Sequence, residues 1–368
     1  MTTIVMEAAA LTDCFKNANR VSPRSGARTA ALTGFVLTLS GQEVMIRTTN
    51  GDVFYMQRLT ALESDAPRAG EQWRIPSQVA TRVVSSLPQG KGKTVTLSSG
   101  QGVVRISAGK MSATLALVDH SGYPEWDFHP MEGATLVEGF GTQLDRVAWA
   151  SERNTGTATS CVRVDGSWLM AATNRALAVT PCQMPLAGRQ EVLLPLAVLA
   201  PILSQMRDVQ VKYVDDLLVL GPTPDTQIRC VTMDLRFPNV GAPMSEQFSG
   251  SVTINRESAT EILARVRAIV DNDEGGHVWL TVGRGTVSFF SMDSTGSNSV
   301  SDVVELVDGQ ARHEPVTMRM SAETLTAALG KSPGGSLTLC YDTEGKSSRL
   351  RVDGTDHYSC WIPLIKNT

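Results

Sequence analysis

Hydrophobic and polar positions alternate with two different periods along this chain, and the same succession of periods occurs three times. Short apolar runs of strand character lead into amphipathic helices at Ile75, Leu194 and Met320, which stand 119 and 126 residues apart (194 − 75 and 320 − 194). Alternating strands then lead to corners where an apolar residue precedes proline, at Tyr123-Pro124, Phe237-Pro238 and Ile362-Pro363. A repeat of nearly fixed period sets the architecture before any local motif does, so we expect three copies of a domain of about 120 residues.

Each copy opens with a helix whose apolar residues recur mainly at gaps of three and four. Residues spaced in this way share one helical face, which we expect to lie against a core. The three stripes are Ala8, Leu11, Phe15 and Ala18; Leu144, Val147 and Ala148; and Ala259, Ile262, Val266 and Ile269. In the third helix, either Asn255 or Ser258 could be the N-cap, and Ser258–Glu261 fits a capping box.

A second helix is predicted in each copy, over Val79–Leu87, Leu196–Met206 and Ser321–Leu329. The middle one contains Pro201, which lacks an N–H and disfavours a helix interior. Two interpretations follow for it: a helix over the whole range, or one that begins near Ala200 with Pro201 in its first turn.

Between the helices the chain alternates in the manner of strands, separated by turns rich in Gly, Asp and Asn. The strands are predicted at Thr94–Ser98, Gly102–Ser107, Ser112–Leu117, Leu217–Leu220, Gln227–Thr232, Val278–Val282, Thr286–Ser291 and Arg349–Val352. One-sided alternation favours antiparallel sheets covered on one face by helices, an α+β architecture. The predicted domains are residues 1–132, 133–248 and 249–368, with joins at Met131–Thr135 and Pro243–Gly250.

Composition indicates a folded chain without a membrane-spanning segment. Of the 368 residues 42% are hydrophobic, and no run of eighteen apolar residues occurs. Met1–Glu7 lacks the basic start and apolar core of a signal peptide. Six scattered cysteines without a Cys-x-x-Cys pair indicate free thiols in a reducing cytoplasm. The net charge of −4 argues against a wholly basic nucleic-acid binder but leaves room for a local positive face.

Motifs for small-molecule chemistry are incomplete. Gly92-Lys93-Thr94 resembles the end of a phosphate-binding loop, but Leu87 stands where that loop needs glycine. Asp271–Gly276 suggests a calcium loop, yet Val282 stands where the closing carboxylate should be. The five histidines are His120, His129, His277, His313 and His357, and none has metal-ligand spacing to another His or to Cys. No Gly-x-Ser-x-Gly nucleophile elbow occurs, so we predict no enzyme, cofactor or metal site.

Three segments, in order and in the appropriate repeats, carry a resemblance to a known family: Ala172–Val179, Phe237-Pro238-Asn239 and Tyr358–Leu364. They resemble short motifs of the bacterial β sliding clamp, the ring-shaped processivity factor of the replicative DNA polymerase. Ala172–Val179 is similar to the family's Ala-Thr-Asp-Gly-His-Arg-Leu-Ala segment, one residue short. Phe237-Pro238-Asn239 is similar to its Phe-Pro-Asp corner. Tyr358–Leu364 is similar to its terminal Tyr-Val-Val-Met-Pro-Met, with one extra residue. The divergence indicates an outlying member, bacterial or virus-encoded.

The resemblance implies a head-to-tail homodimer in which six domains form a ring, with helices lining a hole and sheets outside. Cationic side chains on the helices would then contact phosphates of double-stranded DNA, without sequence preference. The candidates are Lys16, Arg20, Arg28, Arg82, Arg146, Arg153, Arg207, Arg265 and Arg267. The alternative for each of them is a plain solvated helix face.

The resemblance also implies an apolar pocket that receives a short peptide, often with Gln and a Leu-Phe pair, from the polymerase or the clamp loader. The matched positions are Thr173, Arg175, Leu177, Pro238, Pro243, Cys360, Ile362, Pro363 and Leu364. Ile365 stands where the family usually has arginine, so the specificity for partners is expected to differ. The ring joint is expected to pair Ala113 and Leu115 of one chain with Ile269 and Val270 of the other.

Two other functions remain open from the sequence. A β-rich viral or cell-surface structural protein would also show repeats and lack catalytic residues, but it would not need cationic helices at three equivalent places. A hydrolase with an unrecognised site is the other alternative.

Overall fold

A computed structural model describes residues 1–23, 30–88, 90–152, 156–269, 276–308, 314–343 and 347–365. The strands are β1 Thr3–Glu7, β2 Phe35–Ser40, β3 Glu43–Thr49, β4 Val53–Thr60, β5 Glu63–Ser64, β6 Glu71–Ile75, β7 Thr94–Gly100, β8 Val103–Ala108, β9 Met111–Ala116, β10 Thr135–Val137, β11 Cys161–Val164, β12 Trp168–Ala172, β13 Leu177–Pro181, β14 Val192–Pro195, β15 Val209–Val214, β16 Leu217–Thr223, β17 Thr226–Val231, β18 Gly250–Asn255, β19 His277–Val282, β20 Thr286–Met292, β21 Ser299–Asp308, β22 Val316–Ser321, β23 Ser336–Tyr341, β24 Arg349–Asp353 and β25 Ser359–Pro363.

The helices of this α+β fold are few and short. They are α1 Ala8–Val21, α2 Ser77–Ser85, α3 Phe140–Ala148, α4 Leu196–Leu203, α5 Gly241–Met244, α6 Arg256–Val266 and α7 Ala322–Lys331, with 3₁₀ turns at Ala30–Leu32, Ala158–Ser160 and Arg267–Ile269. Six of the helices follow directly on a strand, in the pairs β1–α1, β6–α2, β10–α3, β14–α4, β18–α6 and β22–α7. Two such strand–helix pairs in each third of the chain confirm the predicted secondary structure.

The chain divides into two compact units. One unit comprises Met1–Gly141 and Pro201–Thr232, and the other comprises Thr142–Ala200 and Met233–Thr368. The first unit contains a sheet of order β5-β1-β7-β8-β9 and another of order β10-β15-β16-β17-β4-β3-β2-β6. The second contains one sheet of order β14-β11-β12-β13-β25-β24-β23-β18-β21-β20-β19-β22. Because the middle repeat contributes to both units, the three-domain division stays a prediction.

The apolar stripes of the opening helices are buried as predicted, with one half-buried exception. The first stripe is almost fully buried in α1, and Leu144 and Val147 of the second are buried while Ala148 is half-buried. Ala259, Ile262 and Val266 are buried in α6, and the side chain of Ile269 lies outside the described residues.

The structure decides between the alternatives left open for two helices. The Asn255 side chain accepts a hydrogen bond from the Ser258 N–H at 2.9 Å, so Asn255 is the N-cap of α6 and Ser258 lies in its first turn. Helix α4 begins at Leu196, with Pro201 inside it, so a start near Ala200 is wrong. It ends at Leu203 and not at Met206.

One backbone hydrogen bond occurs at the same place in each repeat. The residue one position before Ile75, Leu194 or Met320 accepts it, and the donor is a residue just after the last strand of that repeat. The three bonds are Val118 N to Arg74 O at 2.8 Å, Met233 N to Leu193 O at 3.1 Å and Ile365 N to Arg319 O at 2.8 Å. These three bonds identify equivalent positions in the three repeats without reference to sequence similarity.

Successive repeats are joined within each unit by one rule of strand pairing. In the first unit, β4 pairs antiparallel with β17, and Tyr55 lies opposite Ile228. In the second, β13 pairs antiparallel with β25, and Ala178 lies opposite Cys360. Each joint therefore connects the fourth strand of one repeat to the last strand of the next.

The same rule leaves two strands unused. Strand β9, the last of the first repeat, is an edge strand that pairs only with β8 in the described part of the chain. Strand β21, the fourth of the third repeat, pairs with β20 along Ser299–Glu305 and with β18 only through Leu306 and Asp308. The second edge of Ser299–Glu305 has no strand partner within the described residues.

Candidate nucleic-acid interface and partner site

Of the cationic candidates in the first unit, Lys16, Arg20 and Arg82 lie on helices α1 and α2, and Arg207 lies in the connection between α4 and β15. Lys16, Arg82 and Arg207 are exposed, and their side chains have no hydrogen-bond or ion-pair partner among the residues described. The apolar stripe of α1 faces the core and leaves Lys16 on the solvent side. Arg20 is exposed but engaged, because it donates to Asn17 Oδ1 at 2.8 Å and to the Pro201 carbonyl at 2.5 Å.

The candidates of the second unit are engaged in polar contacts. Arg146 Nη2 lies 3.1 Å from Asp356 Oδ2, and Arg265 Nη2 lies 2.6 Å from Asp302 Oδ2. The hydrogen bond from Arg265 holds the pKa of Asp302 below its ordinary value. Arg267 Nη1 donates to Thr326 Oγ1 at 3.0 Å. Arg28 and Arg153 lie outside the described residues.

The predicted pocket residues that lie on strands β13 and β25 fall on two opposite faces of the sheet. Leu177 lies opposite Trp361 across the β13–β25 joint, and Ala178 lies opposite Cys360. Because side chains alternate along a strand, Leu177 and Trp361 share one face, whereas Cys360 and Ile362 point to the other. Cys360 and Ile362 are fully buried. Cys360 and Ile362 therefore lie on the opposite face from Leu177, and their assignment to the pocket stays a prediction.

An apolar cluster covers the face that Leu177 shares with Trp361, and we call it the Trp361 cluster. Its buried members are Cys161, Met170, Ala172, Leu177, Val179, Leu193, Phe237, Val240 and Trp361, with Trp168, Met233 and Phe248 partly buried against them. Trp361 is only 5% exposed, and its Nε1 is buried without a hydrogen-bond partner in the described part of the chain.

Residues 233–248, which follow the last strand of the middle repeat, supply four residues of this cluster. Phe237 and Val240 contribute to it, and Pro238 and Pro243 are half-buried beside them in sequence. The guanidinium of Arg163 lies 6.0 Å from the Phe237 ring centre, and that of Arg351 lies 5.1 Å from the ring centre of Phe248. Aromatic residues near both ends of the segment are thus held by arginines from the sheet.

The remaining predicted pocket residues surround the β13–β25 joint in sequence. Thr173 is half-buried and Arg175 is exposed, and the Arg175 N–H donates to Thr173 Oγ1 at 3.1 Å. Pro363 and Leu364 are half-buried. Sequence reasoning did not predict that Trp361 shares a face with Leu177. The signal was the extra residue in Tyr358–Leu364, because one added residue reverses the faces of the strand positions that follow it.

The cysteines form a set of inert buried thiols. All six are free and buried, and burial raises the pKa of Cys182 and of Cys360 to about 12. Among the described residues no three His, Cys, Asp or Glu side chains come together as a metal site. No helix in the described ranges is long and apolar enough to cross a membrane.

Comparison of the sequence finds no matching protein-family model and no matching curated protein. Comparison of the structure finds similar solved structures over the whole chain. The DNA polymerase III β subunit of Thermotoga maritima has 18% identity and a TM-score of 0.80, with 100% of both chains covered. The Bacillus subtilis DNA polymerase sliding clamp has 14% identity and a TM-score of 0.77, also with 100% of both covered. The Helicobacter pylori β clamp bound to a DNA ligase peptide has 14% identity and a TM-score of 0.75, covering 99% of this chain and 100% of that one. The chain therefore has the fold of the bacterial β sliding clamps.

Proposed function

We propose that this protein is a sliding clamp, a non-enzymatic ring that encircles double-stranded DNA and tethers the replicative polymerase. The observation that carries the proposal is the similarity of fold to β clamps over the full length of both chains. The strand–helix pairs, the exposed cationic side chains and the unused strand edges support it. The proposed partners are DNA, a polymerase and a loader with short peptide motifs, and a second copy of the chain in a cytoplasmic homodimer.

We extend the strand-pairing rule to the two unused strands, β9 and β21, to propose how the ring closes. The register of that joint can be inferred from the two joints within the chain, where Tyr55 and Ala178 occupy equivalent positions on the fourth strand of their repeats. That position is reached from Ile75 or Leu194 by three successive steps to the residue opposite on the next strand. The second step of each path extends the observed register of the strand pair by one position. The same path from Met320 leads to Val300. Their partners Ile228 and Cys360 each stand five residues before the donor of the repeated hydrogen bond. In the first repeat that position is Ala113.

We therefore place Ala113 of one chain opposite Val300 of a second chain, with β9 and β21 antiparallel. Leu115 is 7% exposed and supports this joint from the core side. On the same edge, Val303 is 53% exposed, and a pairing strand would bury part of its surface. The side chain of Ile269 and all of Val270 lie outside the described residues, so their role at the joint stays a proposal. A contact between different surfaces of like chains closes a ring or extends a filament.

The DNA contacts are assigned first to Lys16, Arg82 and Arg207, whose side chains are exposed and have no polar partner among the residues described. Such contacts with phosphates carry no sequence information, as movement along DNA requires. Arg146, Arg265 and Arg267 contribute less as long as their polar contacts persist. Arg20 is expected mainly to hold α1 to the end of α4, and Arg28 and Arg153 remain proposed contacts.

The partner peptide is assigned to the Trp361 cluster and its margin, with Thr173, Arg175, Leu177, Pro238, Pro243, Pro363 and Leu364. Apolar grooves with few polar anchors suit short peptides. Trp361 Nε1 is buried and has no partner in the described residues, so a side-chain movement that exposes it on peptide binding would let it donate to a peptide carbonyl.

Electron microscopy of single particles of the purified protein tests the proposal directly. A closed head-to-tail dimer of three-domain chains is expected to give an open-centred ring with a pseudo-sixfold outline. Filaments, shells or solid particles of two chains would contradict it. Particles of a single chain would also count against a stable ring at the concentration used, which should therefore be varied.

A further inference from the structure

The Trp361 cluster is closed to solvent in this structure. Trp361 and Leu177 are each only 5% exposed, because other residues of the chain pack against them. The half-buried residues packed against the cluster are Trp168, Met233 and Phe248. A partner side chain that is to reach the cluster must therefore displace one of the residues that cover it.

Phe248 belongs both to the cover of the cluster and to the wall of a cavity of about 300 Å³. The guanidinium carbon of Arg351 lies 5.1 Å from the Phe248 ring centre. Cys340, Arg351 and Trp361 lie opposite one another on β23, β24 and β25, so their side chains share one face of the sheet. The space that the Phe248 ring fills, which we call the ring site, therefore has the apolar cluster on one side and the cation of Arg351 over the ring.

Residues 241–249, which we call the covering segment, carry Phe248 and are lightly attached to the sheet. Six of these nine residues are exposed. Glu246 forms an ion pair with Arg349 at 3.1 Å and accepts a hydrogen bond from Ser347 Oγ at 2.6 Å. Both charged side chains of the ion pair are partly exposed, and such pairs contribute little to stability. The covering segment therefore belongs to the parts of the chain that move at low cost in free energy.

The two ends of the covering segment are fixed. Val240, just before it, is buried in the cluster, and Gly250, just after it, pairs with Tyr341 on β23. Ser249 Oγ, at the end of the segment, donates to an Asp342 carboxylate oxygen at 2.9 Å. Movement is thereby confined to the residues between these ends, which include Phe248.

We propose that Phe248 is an autoinhibitory residue, which fills the ring site until an aromatic side chain of the partner peptide replaces it. The phenylalanine already there shows which chemistry the ring site accepts, namely a flat apolar ring packed on the cluster and on a guanidinium. An aliphatic side chain of the partner would lose the contact with the Arg351 cation. The inference rests on the proposed function, because it concerns the same peptide site.

Anisotropy titrations of the full chain with two fluorescent peptides test the inference. The probe is Gly-Gln-Leu-Gly-Leu-Phe, and Gly-Gln-Leu-Gly-Leu-Ala is the matched control. Phe248→Ala should bind the probe about tenfold more tightly than the unaltered protein does, because the chain itself no longer occupies the ring site. The affinity for the alanine peptide should change by about twofold or less, since that peptide has no ring to place there.

Glu246→Gln tests the attachment of the covering segment with Phe248 still present. Loss of the ion pair with Arg349 should free the segment and tighten binding of the probe by about two- to threefold. The same change in the Phe248→Ala background should have no further effect, because no ring is left to withdraw. Glu257→Gln, at an exposed carboxylate on α6, is the control for the change of charge.

Binding of the probe to Phe248→Ala that is no tighter than to the unaltered protein would overturn the inference and leave the proposed peptide site intact. Equal tightening for both peptides would overturn it too, since the ring site would then not select an aromatic side chain. If neither peptide binds any variant, the proposed peptide site fails together with the inference. Should Phe248→Ala lower the melting temperature markedly, Glu246→Gln decides, and no tightening in that variant would overturn the inference.

Discussion

At the scale of single residues, the face of a strand to which a side chain points decides its role. Trp361 and Ile362 are neighbours on β25, yet only Trp361 faces the cluster with Leu177. A change at Trp361 should therefore alter partner binding, whereas a change at Ile362 should alter core packing alone.

Replacing Trp361 with Phe should weaken binding of a fluorescent peptide that carries Gln and a Leu-Phe pair by about three- to tenfold. The reason is the loss of one hydrogen bond at a buried site, while the aromatic packing remains. Ile362→Val is the matched control, expected to lower the free energy of unfolding by about 0.5–1.5 kcal/mol and to leave the peptide affinity unchanged. Equal affinities of Trp361→Phe and the unaltered protein in an anisotropy titration would remove Trp361 from the site.

Asp356→Asn should strengthen binding to duplex DNA at low salt, because it frees Arg146 from its ion pair. Asp356 has a positive φ of 58°, which asparagine also tolerates, so the backbone should be preserved. The slope of log affinity against log salt should steepen by up to about 0.9, the value for one added phosphate contact. Asp165→Asn, which removes a carboxylate paired with Arg163, is the control. It should change the DNA affinity and the salt slope less than Asp356→Asn does.

At the scale of elements, local sequence patterns were sufficient to predict most helices and strands, whereas the features that depend on long-range strand pairing were not predicted. The 3-and-4 spacing of Ala8 to Ala18 was sufficient to find α1, because burial of one face is a local property of the sequence. The end of α4 and the face of Trp361 were missed. The face of Trp361 depends on strand register, which a one-residue difference in the last segment reverses. The resemblance implied that Ala113 and Leu115 of β9 lie at the ring joint, but the free edge of β21 could not be identified without the sheet order.

Asn255→Ala should reduce the free energy of unfolding by about 1 kcal/mol, because the α6 N-cap loses its acceptor. Ser258→Ala, within the first turn, should cost about 0.5 kcal/mol or less. Urea denaturation of the two variants measures the difference. A larger loss for Ser258→Ala than for Asn255→Ala would contradict the capping geometry.

The proposed register between chains predicts a specific cross-link. Ser112 should lie opposite Ser301, one position from the Ala113–Val300 pair, and both residues are exposed. The variant with cysteine at both positions should form disulfide-linked dimers on mild oxidation, visible on a non-reducing gel. The native cysteines are all buried and should not interfere. Cysteines at Ser112 and Glu305 are the control, because four residues along a strand exceed the reach of a disulfide. Cross-linking of both pairs alike would reject the register.

At the scale of the whole molecule, the proposed function depends on topology more than on affinity. A net charge of −4 with a few exposed cations predicts weak and salt-sensitive contacts with DNA. A closed ring would nevertheless be retained on DNA that has no ends. The disulfide between cysteines at positions 112 and 301 offers a way to close the ring covalently.

Oxidising the Ser112→Cys, Ser301→Cys variant in the presence of nicked circular DNA should leave protein that stays on the circle in 1 M salt, where exposed charge contacts are largely screened. Cutting the circle once, or reducing the disulfide, should release it. Gel filtration of labelled protein with the DNA measures the bound fraction. Retention that is the same on circular and linear DNA would refute encirclement.

The rule that joins the fourth strand of one repeat to the last strand of the next also has a direction. If both joints between chains obey it, every repeat in the ring points the same way around, and no twofold axis lies in the plane of the ring. The two faces must then differ in every side chain that they present. Both copies of the Trp361 cluster would open in the same sense, so a bound polymerase would be oriented along the DNA by the strand order alone.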